Sequence, residues 1–157
     1  MSEQWSEGYV TEIGYTYGYY PDLNPLRAAF CLLMEGWAPP PSGPCCELGF
    51  GQGVSLAMHA AGDPQRRWWG NDFNPAHALH ARGLVDAAGV EAVVAEQSFE
   101  DFCTRSDLPE FAFIAVHGVW SWVSDANRRR SPAQPATTTS ARWPARAPPV
   151  RSTTPVY

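Results

Sequence analysis

The chain has 157 residues, 45% of them hydrophobic, enough for one domain with a real core. Its net charge of −5 is uneven: residues 1–127 hold all sixteen acids and five of the eleven arginines, whereas residues 128–157 hold six arginines and no acid. An acidic body argues against nucleic acid as a partner, because phosphate binding wants a basic face, and no apolar run reaches the length of a membrane span.

Met1 to Gly8 is acidic and polar, without the basic and apolar regions of a signal peptide. Residues 9–20 are rich in tyrosine and glycine, and read either as an irregular arm packed on the domain or as an aromatic flap over a ligand site. Asn24-Pro25 then looks like an N-cap followed by proline at the first helical position. Leu26, Phe30, Leu33 and Met34 share one helical face, and Gly36 stops the helix. Pro39-Pro40-Pro41 and Pro44 form a stiff connector into a first strand that begins at Cys45-Cys46.

Glu47-Leu48-Gly49-Phe50-Gly51-Gln52-Gly53 follows, and a helical pattern, Val54 to Ala61, leaves it. Strand, glycine turn and helix are the start of a βαβ unit. Glycines at alternate positions let the chain take positive φ and let a ligand touch the backbone. The helix start points free N–H groups at the same spot.

Trp68 to Asp72 reads as a second strand, and Asn74-Pro75 repeats the cap-and-proline device for a helix to about Ala88, closed by Gly89. Val90 to Ala95 is a third strand, Phe99 to Arg105 a short helix, and Phe111 to His117 a fourth strand. Alternation of nearly continuous apolar strands with helices predicts an α/β fold with a parallel sheet covered on both faces. Beyond Arg128 neither period is present, and proline, threonine and small residues dominate. The expected division is a domain over 1–127 and a disordered tail over 128–157.

Cys31, Cys45, Cys46 and Cys103 show no C-x-x-C and no metal-ligand spacing. They read as apolar residues of a reducing, cytoplasmic setting, with no metal expected.

A dinucleotide fingerprint needs G-x-G-x-x-G, but here the third glycine comes one place early and an acid, Glu47, stands two residues before the first. Asp72 lies at the carboxyl end of the second strand, where an acid accepts hydrogen bonds from ribose hydroxyls on this scaffold, or else only serves the turn into the next helix. Gln97, Ser98 and Phe99 end the third strand, where an adenine edge would lie, though each is also an ordinary loop or helix-start residue. His117 ends the fourth strand on the side where an acceptor would sit, so it is a candidate catalytic group or a structural one.

The E-x-G-x-G-x-G form resembles motif I of the class I S-adenosylmethionine-dependent methyltransferases. With Tyr15 to Phe30, Gly70-Asn71-Asp72-Phe73-Asn74-Pro75 and His117-Gly118-Val119-Trp120-Ser121-Trp122, the chain is similar to a bacterial methyltransferase group whose members often carry a C-terminal regulatory domain. Some members are similar to protein-lysine methyltransferases. The resemblance implies S-adenosyl-L-methionine as cofactor and a methyl acceptor that the sequence does not identify. It implies Glu47, Gly49 and Gly51 along the methionine part, Asp72 at the ribose and Gln97, Ser98 and Phe99 near adenine, with Phe50, Gly53 and Phe73 also among the cofactor-binding residues. Two positions depart from the group: Ala112 and Gln97 stand where acids are usual.

The resemblance also implies a Rossmann-like sheet of order 3-2-1-4-5-7-6, of which this sequence supplies the first four strands after an N-terminal helix. Two functions follow as expectations: a C-terminally truncated methyltransferase, or a cofactor-binding remnant without catalysis. An NAD-dependent oxidoreductase is disfavoured by the spacing at Gly53. An arginine- and proline-rich, acid-free ending suggests that residues from about 128 are read out of register from a GC-rich gene. An alternative frame beyond codon 127 should then encode a capped helix and an apolar strand.

Overall fold

The first strand, β1 (Cys45–Leu48), is buried at all four positions. Strand alternation sends its adjacent cysteines to opposite faces, so Cys45 and Cys46 enter two separate hydrophobic clusters. The structure, a computed structural model, describes residues 16–118.

A single 3-10 turn, Pro21–Leu23, precedes α1 (Pro25–Met34), whose cap is Asn24: the Leu26 N–H donates to its Oδ1 at 2.8 Å. After β1 come α2 (Val54–Gly62), β2 (Trp68–Asp72), α3 (Pro75–Ala88), β3 (Ala92–Glu96), α4 (Phe99–Cys103) and β4 (Phe113–Val116). Asn74 caps α3 as Asn24 caps α1, accepting from the Ala76 N–H at 2.9 Å. The four strands are parallel, in the order β3-β2-β1-β4. That is the expected 3-2-1-4 arrangement, and it places the carboxyl ends of all four strands along one edge.

Each strand pairs in a register that aligns residues by face. Cys46, Trp69, Phe99 and Phe102 fill one side of the sheet. Cys45, Trp68, Leu56, Ala78 and Ala81 fill the other, under α2 and α3. Serial small residues on α3 let it approach α2 closely, which matters below at Gly53.

Four expectations are refined. The third strand starts at Ala92 rather than Val90, because Gly89 closes α3 in the left-handed region and the Val90 N–H is spent on Val85 O. The fourth helix ends at Cys103 rather than Arg105, and the Thr104 hydroxyl turns back to Glu100 O at 2.9 Å. The last strand runs over four residues, not the whole Phe111–His117 stretch. Cover on both faces holds at β1 and β2, which are buried throughout, but Val93 of β3 and Ile114 and Val116 of β4 are exposed. Five-residue α4 is too short to span that side. The apolar stripe of α1 is exposed as well, at Leu26, Phe30, Leu33 and Met34. The division at residue 127, the tail beyond it and Trp120 and Trp122 lie outside the described residues.

Among those residues, no helix is long and apolar enough to cross a membrane, and no group of three His, Cys, Asp or Glu is placed to hold a metal ion.

Candidate functional site

The site forms where β1 gives way to α2. Gly49, Gly51 and Gly53 have φ of 67°, 58° and 74°, the left-handed region that side chains other than glycine's rarely adopt. The Gly49 and Phe50 N–H groups both donate to Asn71 O, at 2.8 and 3.3 Å, which ties the turn to β2. Gly53 is the N-cap of α2 and has a second constraint. A Cβ there would lie 2.4 Å from the Ala81 Cβ, so the third glycine is required by the α2–α3 approach as well as by the turn.

Asp72 closes the constellation. The Gly51 N–H donates to its Oδ2 at 2.9 Å, and the Asn74 N–H to its Oδ1 at 2.9 Å. His77, in the first turn of α3, brings Nδ1 to 3.3 Å from Oδ1. A carboxylate has about four lone-pair sites, so three donors leave Asp72 room for a further bond. The structure therefore joins the glycine turn and the strand-two acid directly.

Glu47 lies beneath the turn. It is 3% exposed, and its Oε2 is sealed from solvent with no hydrogen-bond partner among the described residues. Burial in an apolar setting disfavours the charged form and pushes the carboxyl up to about 8. A buried acid without a partner costs free energy in the free protein. Burial pushes the Cys46 thiol up too, so it is no nucleophile near neutral pH.

The remaining candidates take distinct places. Phe50 is buried against Leu56 and Ala81, and Phe73 is partly buried against the opposite cluster. The Gln97 N–H donates to Asp72 O at 3.1 Å, and Arg105 holds the Gln97 Oε1 at 3.0 Å. Ser98 caps α4, accepting from the Asp101 N–H at 3.1 Å. Phe99 is buried in the core at 5% exposure. His117 stacks on Tyr20, ring centroids 4.1 Å apart. Gln97, Ser98 and Phe99 thus follow β3 at the carboxyl edge that also holds Asp72, while Phe50 and Phe99 are buried in the two opposite core clusters.

Sequence reasoning missed the partners. An acid at the end of β2 and a histidine one turn into α3, His77, face each other. His80 binds Gln52 O at 2.8 Å and so braces the turn from α3. Ser55 accepts the Tyr20 N–H at 2.8 Å. With Tyr17 edge-on to His80, residues 17–20 run across α2, α3 and the end of β4. Of the stretch expected to be an arm or a flap, residues 17–20 pack on the domain beside the glycine turn, and residues 9–15 lie outside the described residues.

No family model matches the chain. The uncharacterized protein sll1526 of Synechocystis sp. is 41% identical over 129 residues, which make up 80% of this chain and 25% of that protein. The chain therefore spans about a quarter of the length of the curated relative it matches. Among solved structures, PKMT2 from Rickettsia typhi in complex with AdoHcy is similar with a TM-score of 0.66 and 21% identity, covering 74% of this chain and 22% of that one. A second structure of PKMT2 from Rickettsia typhi gives 0.62 and 23%, over 73% and 22%. These likenesses establish the fold: the described residues form a Rossmann-like parallel α/β sheet of the kind found in PKMT2.

Proposed function

We propose that the glycine turn and Asp72 hold S-adenosyl-L-methionine and that the protein belongs to methyl-transfer chemistry. The observation that carries this reading is the bond from the Gly51 N–H to Asp72, which puts a positive-φ backbone cradle and a buried carboxylate at one point of the sheet edge. The fold it shares with PKMT2, a protein solved in complex with AdoHcy, supports the same ligand class.

The residues fit the cofactor. Glycine hydrogens at 49 and 51 leave space that a Cβ would fill. Asp72 has a lone-pair site left for a ribose hydroxyl, with Phe73 beside it. Glu47 gains a partner for its orphan Oε2 in the ammonium of the methionine part. Gln97, Ser98 and Phe99 lie at the adenine end. When bound, the cofactor supplies an electrophilic sulfonium methyl. In-line transfer then needs proximity and orientation more than acid or base chemistry. The chain's own part is to orient the ligand.

Protein lysine is among the acceptors the family resemblance implies. The acidic charge of residues 1–127 favours a basic peptide over a nucleic acid. Free thiols at all four cysteines support a reducing, cytoplasmic setting.

A second reading is cofactor binding without catalysis. It is favoured by the exposed Ile114 and Val116 on β4, which pairs only with β1 among the described residues. Acceptor-binding groups of such folds usually come from strands beyond the fourth.

Melting curves test the ligand assignment. A ligand at a hundred times its dissociation constant stabilises by about 2.7 kcal/mol, so S-adenosylhomocysteine should raise the melting temperature and NAD should not. A rise with NAD alone would sink the methyltransferase reading.

A further inference from the structure

Asn71, next to Asp72 in β2, is 0% exposed. In register it lies between Leu48 of β1 and Ala95 of β3, and both belong to the buried cluster that also holds Trp69. Side chains two apart on a strand share a face, so Asn71 is a polar residue set into an apolar layer.

Its side-chain amide is only half used. Nδ2 donates to Gln97 O at 2.8 Å, whereas Oδ1 is sealed from solvent and has no hydrogen-bond partner among the described residues. A carbonyl only accepts, so the NH2 group and not the oxygen must face Gln97 O. One buried hydrogen bond typically contributes less than an unsatisfied buried acceptor costs. A leucine is similar in size and would fill the place without the orphan oxygen. Stability alone therefore does not account for an asparagine here, and the bond it makes has to.

That bond falls on the segment leaving β3. The Gln97 N–H donates to Asp72 O at 3.1 Å, so two consecutive residues of β2 hold both the N–H and the C=O of Gln97. The peptide from Gln97 to Ser98 is planar and trans, so drawing Gln97 O towards Asn71 turns the Ser98 N–H away from it. Asn71 O meanwhile accepts from the Gly49 and Phe50 N–H groups. Through backbone and side chain, one residue ties the glycine turn to the segment after β3.

We infer that Asn71 is a positioning residue for the purine end of the ligand. By holding Gln97 O it fixes the orientation of the Gln97–Ser98 peptide, and with it the polar groups offered to the edge of the base. The inference rests on the S-adenosyl reading of the site and deepens it, assigning base selectivity to a fully buried side chain.

S-adenosylhomocysteine and S-inosylhomocysteine separate selectivity from folding, because they differ only at the hydrogen-bonding edge of the purine, where an amino group becomes a carbonyl. In calorimetry on the full chain, wild type should bind the adenine compound about ten-fold or more tightly than the hypoxanthine one. Asn71→Leu should bring the two dissociation constants to within about three-fold of each other, while its urea midpoint stays at or above that of wild type. An unchanged ratio in a folded Asn71→Leu would overturn this inference and leave the cofactor reading standing. A folded wild-type chain that binds neither compound would overturn both. Should Asn71→Leu fail to fold, the nitrogen-15 spectrum of wild type decides. S-adenosylhomocysteine at saturation should shift the Asn71 side-chain amide, and S-inosylhomocysteine should shift it less. Equal shifts, or none, would overturn the assignment.

Discussion

Replacing Glu47 by Gln should change how stability depends on pH more than it changes stability itself. The Glu47 carboxyl titrates at 4.5 in an ordinary setting and is pushed up to about 8 by burial in the fold. Between those values the folded chain holds a proton that the unfolded chain has released. Stability from this group is therefore fully present below pH 4.5 and is lost as pH rises through 8. Integrated from pH 4.5 to pH 8, the loss is roughly 4 kcal/mol, a large part of a typical folding margin of about 5–15 kcal/mol. Gln keeps the shape and cannot ionise, so its own burial cost is independent of pH. His59 acts in the opposite direction, its lowered pKa removing stability as pH falls below its ordinary 6.5, but it does so equally in both proteins and cancels in the difference. Urea unfolding of wild type and Glu47→Gln at pH 5 and pH 8 reads the effect. The variant should gain several kcal/mol on wild type between the two. A difference that stays flat with pH would show that Glu47 is solvated or paired, and the reasoning about its orphan oxygen would fail.

Asp72→Ala removes an acceptor from three donors, and so should cost both cofactor affinity, ten-fold or more, and about 1–3 kcal/mol of stability; calorimetry with S-adenosylhomocysteine and urea unfolding separate the two, and unchanged affinity would mean that Asp72 only braces the turn. Gly53→Ala puts a methyl 2.4 Å from the Ala81 Cβ at a φ of 74° and should destabilise by about 2–4 kcal/mol; a loss under about 1 kcal/mol would show that α2 and α3 separate freely.

Much of the fold was legible because its signals are local. Asn-Pro pairs at 24–25 and 74–75 cap α1 and α3 as the sequence suggests, and the apolar strands pair in the expected order. What escaped was what periodicity does not report. Leu26, Phe30, Leu33 and Met34 do share a face of α1, but spacing says only that they lie together, not that a partner covers them. At the site, the glycine turn and Asp72 were visible as sequence features, whereas the bond joining them spans 21 residues and depends on register. His77 and His80 were overlooked for a related reason. Their partners, Asp72 and Gln52, lie on other elements, so no spacing rule within α3 distinguishes them from surface histidines. Glu47 was marked by its place before the glycines, but its burial follows from Leu48 and Cys46 on either side in a strand buried on both faces.

The central claim is that Asp72, Glu47 and the glycine turn together hold an S-adenosyl ligand, and a structure of the chain with S-adenosylhomocysteine tests it most directly. The account predicts a ribose hydroxyl within hydrogen-bond distance of Asp72, the amino-acid end of the ligand at Glu47 and the backbone of Gly49 to Gly51 in contact with it. Ligand bound elsewhere, or a folded chain that excludes it while Asp72 keeps its bonds to Gly51, Asn74 and His77, would contradict the claim.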